Sequence, residues 1–518
     1  MTDSGTAANA DIAVRTRDGA EERLIVDAKF IGFLIFLLSW VLVLRAPTFL
    51  VSAIDWDEGL YVLIASQWLS GHPPYTTVFE IKPIGIFAIF AAALGVLGDS
   101  IASIRFITVA FVYLTSVVLL LLAKRLFRSE VAGVVAAISF PVLTLGLQGL
   151  SSNTELFFIF FNALGLLFLV VSTSNPELDR RKTLLYALAA GLSFGVAVQI
   201  KYIVAVEIAL FIAYFVLARY RSVRDAPTVL AILAIGGALP SILAIGYLWA
   251  QDVLGLFLES NFDANKRYLA TGSAQDIWIG FIHSLEDWFK WSWVTVAAIV
   301  FLRFRAWRAR NAEPILVFLL LWLVVGFAEA GLTLKFYKHY YLVTLPPLCL
   351  LLAHASARFH AAVGHRRILI FALAAALGFP VARTIEKSYV PWISAYLEKG
   401  DVNVTIARYL KRQISPQDHI YVVNGQPIIY FLAGAQLPTR YVFPPLIISE
   451  PISRVANVDY PGEVERILDK APRAVLIRDD NEGNTRVNEI RARLQRDYAV
   501  GTRIADTVVY IRKPRNDR

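Results

Sequence analysis

Apolar residues run along this chain in blocks rather than in one-sided stripes. Segments near 30–50, 101–123, 130–150, 154–172, 183–200, 201–218, 227–250, 287–303, 314–334, 340–357 and 367–385 are almost wholly apolar. Each is roughly the 17–25 residues that an α-helix needs to cross a bilayer. The pattern predicts a polytopic α-helical membrane protein with about eleven transmembrane helices. One further block, "IGIFAIFAAALGVLG" at 84–98, is shorter and reads as an interfacial, non-crossing helix. From residue 386 the pattern changes. Strand-like runs "DHIYVV" (418–423), "AVLIRD" (474–479) and "DTVVYIRK" (506–513) surround a helical stretch at 484–497. The expected division is a polar tail at 1–29, a transmembrane domain at 30–385 with its first external loop at 51–100, and a small α/β domain at 386–518.

Composition agrees with the blocks: 57% of residues are hydrophobic and 18% charged. The start of the chain lacks the basic region and small-residue cleavage site of a signal peptide, and reads as a cytoplasmic tail. The net charge of +9 points to basic loops on the cytoplasmic side rather than to nucleic acid. Clusters at 124–128, 180–182, 219–224, 303–310 and 358–367 follow alternate spans. They share the cytoplasmic face if the amino terminus is inside and 84–98 does not cross. The carboxy-terminal domain then lies outside, in the periplasm if the source is a bacterium. Cys349, the one cysteine, excludes an internal disulfide and says nothing about compartment.

The same parity sorts the remaining polar residues. Asp55, Asp57, Glu58, Glu80, Lys82, Asn153, Glu155, His283, Lys335, Lys338 and His339 fall on the outer side. Charges at a membrane surface against the usual bias are functional candidates. "SAIDWDEGLY" (52–61) places three acids just after the first span, and an amphipathic surface helix is expected to follow at 58–71. Lys201 and Glu207 fall near or inside a span, as bundle structure or as a polar pathway.

These motifs resemble lipid-linked-sugar glycosyltransferases of the GT-C fold, close to glycosyltransferase family 39 and the aminoarabinose-transferase group. The matching residues are Asp57-Glu58, Tyr61, Gly71 through Tyr75, Glu80 and Lys82-Pro83, where Ile84 replaces a frequent second proline. "SIRFITVA" with Arg105, "SNTELFFIFF" with Glu155, and "KFYKHYYLVTLPPLCLLLA" with Lys335, Lys338 and His339 follow in the family's order. The resemblance implies a polyprenyl-phosphate-sugar donor in the outer leaflet and an inverting attack by an acceptor hydroxyl. The acceptor would be an envelope glycan, a glycolipid such as lipid A or core, or a protein.

Such chemistry needs a base for the hydroxyl proton and cations for the departing phosphate. Asp57 matches the family's base; it also stands where an acid would cap the following helix. Asp55 is a helper or a solvated loop charge, and Glu58 orients Asp57 or the loop. Lys82 is the first phosphate candidate, with membrane anchoring as its alternative. Arg105, Lys335 and Lys338 are secondary phosphate candidates or headgroup contacts. Glu155, Glu80, Tyr61 and His339 complete the substrate-facing set. The sugar–phosphate bond carries the energy, so no ATP site is required; no cofactor is assigned, and a divalent cation on Glu80 or His339 stays open. "DWD" also fits a metal-dependent nucleotide-sugar motif, but no nucleotide-binding domain precedes it. The competing classes are a lipid or polysaccharide transporter or flippase, and an O-antigen ligase or polymerase using a diphosphate-linked donor. The tail motif "NGQPIIYFLAG" (424–434) belongs to a lid or to a stabilising cap.

Overall fold

The computed structural model describes residues 28–174, 178–217, 226–306, 313–479 and 483–514. The amino-terminal tail, the basic cluster at 219–224 and residues 307–310 of another cluster lie outside the described residues. Among the described residues, fifteen α-helices lead to the end of the apolar region. They are α1 (Ala28–Arg45), α2 (Trp56–Leu69), α3 (Gly85–Leu97), α4 (Ile101–Phe127), α5 (Glu130–Leu143), α6 (Thr154–Ser174), α7 (Arg180–Ile200), α8 (Ala205–Ile212), α9 (Ala226–Ala250), α10 (Leu254–Leu258), α11 (Ala264–Leu269), α12 (Ala274–Arg305), α13 (Pro314–Gly331), α14 (Leu345–Val363) and α15 (Arg366–Thr384). Among the described residues, eight helical segments are long and apolar enough to span a membrane, as in a multi-pass membrane protein. The other expected spans are the short α5, the broken stretch Tyr202–Val216 and the more polar α12. At about 1.5 Å per residue, α3 reaches only about 20 Å, short of the roughly 30 Å hydrocarbon core.

Several boundaries move for identifiable reasons. α5 stops at Leu143 rather than near 150, and the chain beyond it is gripped by Arg45, which donates to Thr144 Oγ1 (3.1 Å) and the Gly149 carbonyl (2.7 Å). α12 starts well before 287, because Ser273 and Asp276 form a reciprocal capping box. α15 does not end the helical path. It passes through a π turn (Ile385–Tyr389) into α16 (Val390–Lys399) and, after a break, α17 (Val402–Leu410).

Contacts fix the direction of the helices. Lys124 lies over Phe30, while Arg105 at the other end of α4 donates to the Val51 carbonyl, so α4 returns antiparallel to α1. Lys201, just after α7, meets Glu155 at the start of α6. Trp68 of α2 donates to Tyr247 near the end of α9 (2.6 Å). One end of the bundle therefore collects the acids and lysines of the outer set. The other end carries Glu313, paired with Arg303 (3.5 Å), His354 (2.8 Å) and Arg358 (2.8 Å).

The C-terminal domain sits on the first of these ends. Its sheet has strand order β1-β2-β4-β3: β1 (Ile420–Val422) pairs parallel with β2 (Ala474–Arg478), and β4 (Thr507–Arg512) lies antiparallel to both β2 and β3 (Tyr498–Ile504). β3 was not expected; it is a largely exposed edge strand without the apolar alternation of a half-buried one. The expected surface helix is also different. α2 begins at Trp56 and buries Leu60 through Ala65 instead of lying on lipid. The second covering face is α18 (Ile428–Ala433) of the C-terminal domain, which approaches so closely that a Cβ on Gly59 would lie 3.2 Å from the Ile428 nitrogen.

Candidate active site

The site begins at a helix start. Asp55 is the N-cap of α2, accepting from the Glu58 N–H at 3.1 Å, so Asp57 and Glu58 fall in the first turn, where negative charge is favoured. Their side chains then part. Glu58 is 2% exposed and accepts both Arg105 guanidinium branches, at 2.7 and 2.9 Å. It also takes the Ser152 N–H (2.8 Å), the Ser151 hydroxyl (3.1 Å) and the Ile54 N–H. Burial works against this carboxylate, but Arg105 overrides it and holds its pKa below the usual value.

Asp57 points elsewhere. It receives the Tyr61 hydroxyl at 3.3 Å and lies 3.8 Å from the Lys82 ammonium, with its side chain 27% exposed. Lys82 also lies 3.6 Å from Glu80. Burial disfavours the ammonium, yet the Glu80 and Asp57 charges outweigh it and raise its pKa, so Lys82 stays cationic. Burial raises Glu80, against the pull of Lys82 and with a push from Asp57. Burial, with the charges of Glu58 and Asp57 adding, pushes Asp55 up to about 7.

The chain reaches Lys82 through a tight turn. Tyr75 has φ +74°, a left-handed conformation that costs a non-glycine residue about 1–3 kcal/mol, and its hydroxyl donates to the Lys82 carbonyl at 2.9 Å. Gly85 then brings the start of α3 against the end of α7; a Cβ there would lie 2.5 Å from the Gln199 carbonyl oxygen. Lys82 there lies within electrostatic range of Lys201.

Lys201 binds Glu155 in a buried ion pair and stands 3.8 Å from the centre of the Tyr340 ring. His339, next in the chain, lies within electrostatic range of Glu155, Lys201, Asp57 and Lys82. Six expected or newly found groups thus share one cluster: Asp57, Glu80, Lys82, Glu155, Lys201 and His339. Sequence reading had placed Lys201 only as bundle structure or a polar pathway. Its signal was a lysine in an apolar stretch, without any local indication of a partner.

Other expectations change. Arg105 is 2% exposed, and its guanidinium clamps Glu58. Tyr61 is 1% exposed, and its hydroxyl donates to Asp57. Lys338 pairs with Asp287 at 2.9 Å on the rim, and Lys335 donates to Thr271 while lying 4.8 Å from the Tyr268 ring centre. Of the two metal candidates, Glu80 faces Lys82 and His339 Nδ1 lies 3.1 Å from Gln148 Oε1. Among the described residues, no three His, Cys, Asp or Glu side chains gather as a metal-binding group.

This fold is the GT-C fold of membrane glycosyltransferases. A crystal structure of ArnT from Cupriavidus metallidurans bound to undecaprenyl phosphate superposes with TM-score 0.65 at 13% identity, over 92% of this chain and 98% of that one. The oligosaccharyltransferase of Archaeoglobus fulgidus, in complex with Zn and sulfate, gives TM-score 0.51 at 14% identity, over 86% of this chain and 67% of that one. Residues 81–244 match the family described as dolichyl-phosphate-mannose-protein mannosyltransferase. The undecaprenyl phosphate-alpha-4-amino-4-deoxy-L-arabinose arabinosyl transferase of Pseudomonas aeruginosa (strain UCBPP-PA14) is 28% identical over 308 residues, which is 57% of this chain and about half (53%) of that relative.

Proposed function

We propose that this protein is an inverting glycosyltransferase. It moves a sugar from a polyprenyl-phosphate donor to a hydroxyl or phosphate of an envelope glycan, lipid A or core, or a protein. The work is done at the periplasmic face of a bacterial inner membrane, with the amino terminus in the cytoplasm and the α/β domain at 386–518 outside. The observation that carries this reading is the half-open carboxylate of Asp57, 3.8 Å from the Lys82 ammonium at the end of the bundle that bears the outer set. The likeness in fold to a protein crystallised with undecaprenyl phosphate supports the donor class.

The residues divide the chemistry as follows. An acceptor hydroxyl oxygen attacks the anomeric carbon from the face opposite the lipid phosphate. Its proton passes to the Asp57 carboxylate, which Tyr61 keeps oriented. The bond from carbon to phosphate oxygen breaks, and its electron pair leaves with the lipid phosphate. Lys82 meets that growing charge, because Glu80 and Asp57 hold it in the ammonium form. Glu155, Lys201 and His339 line the same cluster and contact donor or acceptor polar groups.

The test is product analysis by mass spectrometry of envelope glycans from a deletion strain. Wild-type protein restores one missing sugar, and Asp57→Asn, produced at the same level, does not. Equal restoration by both would remove Asp57 from the mechanism.

A further inference from the structure

The two segments that carry the chemistry, 52–59 and 78–82, are each touched by the C-terminal domain. Asp401 makes the tightest contact. Its carboxylate accepts the Ser52 N–H at 2.7 Å and the Ser52 hydroxyl at 2.9 Å, across 349 residues of chain. The same carboxylate caps α17 by accepting the Val404 N–H at 2.9 Å, and Asn403 donates to the Ser52 hydroxyl at 3.1 Å. Ser52 is 6% exposed and stands three residues before Asp55.

Two more contacts follow along the loop. Trp56 meets Phe443 edge-on with ring centres 5.5 Å apart, and Gly59 lies against Ile428. On the second segment, the Phe79 N–H donates to the Arg440 carbonyl at 2.8 Å, and the Arg440 guanidinium lies 5.4 Å from the Phe79 ring centre. Phe79 directly precedes Glu80.

From these contacts we infer that Asp401 is a positioning residue for the transfer, and that the C-terminal domain holds the Asp57 and Lys82 segments at a fixed separation. This rests on the function proposed above. The membrane domain pins the 51–58 segment from one side through Arg105 on Val51 and Glu58. Asp401 pins it from the other. A base that must meet a hydroxyl beside an anomeric carbon tolerates little displacement; about 1 Å of misplacement can cost about 100-fold in rate.

Asp401→Thr separates the two duties of this carboxylate. Threonine is a competent N-cap for α17 but lacks the second oxygen that receives the Ser52 N–H. The protein is purified in full length in detergent and assayed with a polyprenyl-phosphate sugar. The expected result is a kcat lowered about 10- to 100-fold, a donor KM within about threefold of wild type, and a thermal unfolding temperature close to wild type. Hydrogen exchange of the 52–58 amides should rise in the variant, and Asp401→Glu should recover part of the rate. An unchanged kcat, or unchanged exchange at 52–58, overturns the inference. A kcat loss that follows the unfolding temperature also overturns it, since a capping role alone would give that result. Absence of transfer by the wild-type protein would instead count against the proposed function, and the exchange data would still decide the role of Asp401.

Discussion

Asp57 and Glu58 are neighbours in the chain and opposites in use. Glu58 is buried, with each oxygen taken up by Arg105, Ser151, Ser152 or Ile54. Asp57 has a tyrosine hydroxyl at 3.3 Å and an ammonium at 3.8 Å, and its side chain is 27% exposed. A carboxylate with every lone pair filled holds structure, because substrate would have to displace bonds already made. A carboxylate left partly unfilled beside a cation is free to accept a proton or a ligand. The same contrast separates the two cations: both terminal nitrogens of Arg105 are taken up by Glu58, Ser152 and the Val51 carbonyl, with its Nε left without a partner, whereas the Lys82 ammonium lies 3.8 Å from Asp57 and 3.6 Å from Glu80.

The contrast can be broken most directly at the pair itself. Asp57→Asn should lower transfer by about 100- to 10,000-fold while leaving unfolding near wild type. Arg105→Ala should act the other way, destabilising the protein by about 3–5 kcal/mol because the Glu58 charge is left buried and unpaired. Thermal unfolding and transfer rate, measured on both variants, read the two effects apart. If Asp57→Asn unfolds as readily as Arg105→Ala, the division between clamp and site is wrong.

A smaller effect concerns Asp55. Burial raises its pKa to about 7, above the unfolded value, so the folded state holds a proton that the unfolded state has released. Its favourable contribution is present at low pH and is lost as pH rises through about 7. Asp55→Asn keeps an N-cap and removes the titration. The unfolding temperature of the variant should fall less between about pH 5 and pH 8 than that of wild type. Parallel curves for the two proteins would assign the raised proton affinity elsewhere.

The smallest effect is expected on the rim. Lys338 and Asp287 form a half-exposed pair at 2.9 Å, and such pairs are worth about 0–1 kcal/mol. Lys338→Ala should change stability by no more than that, with transfer within about twofold of wild type. A large loss of transfer would place Lys338 among the phosphate contacts, as its position in the sequence motif suggests.

Sequence reading reached the helical blocks, the short helix at 85–97 and the gathering of Asp57, Glu80 and Lys82, because block hydropathy and charge parity are local signals. It misjudged α2, since nothing in that stretch announces a second domain above it. It offered Arg105 as a phosphate or headgroup contact without foreseeing its pairing with Glu58, since a lone arginine at a helix start looks the same whether its partner is a ligand or a glutamate.

The sequence by itself determined that this chain crosses a membrane many times, carries a small α/β domain at its end and has its acids and lysines on one side. Those properties follow from the composition of contiguous segments. Only the tertiary structure decided which charges are spent and which are left open. Glu58 meets Arg105 across 47 residues, and Asp401 meets Ser52 across 349. Pairings over such distances come from how helices and domains pack, and packing leaves no mark on the residues next door in the chain.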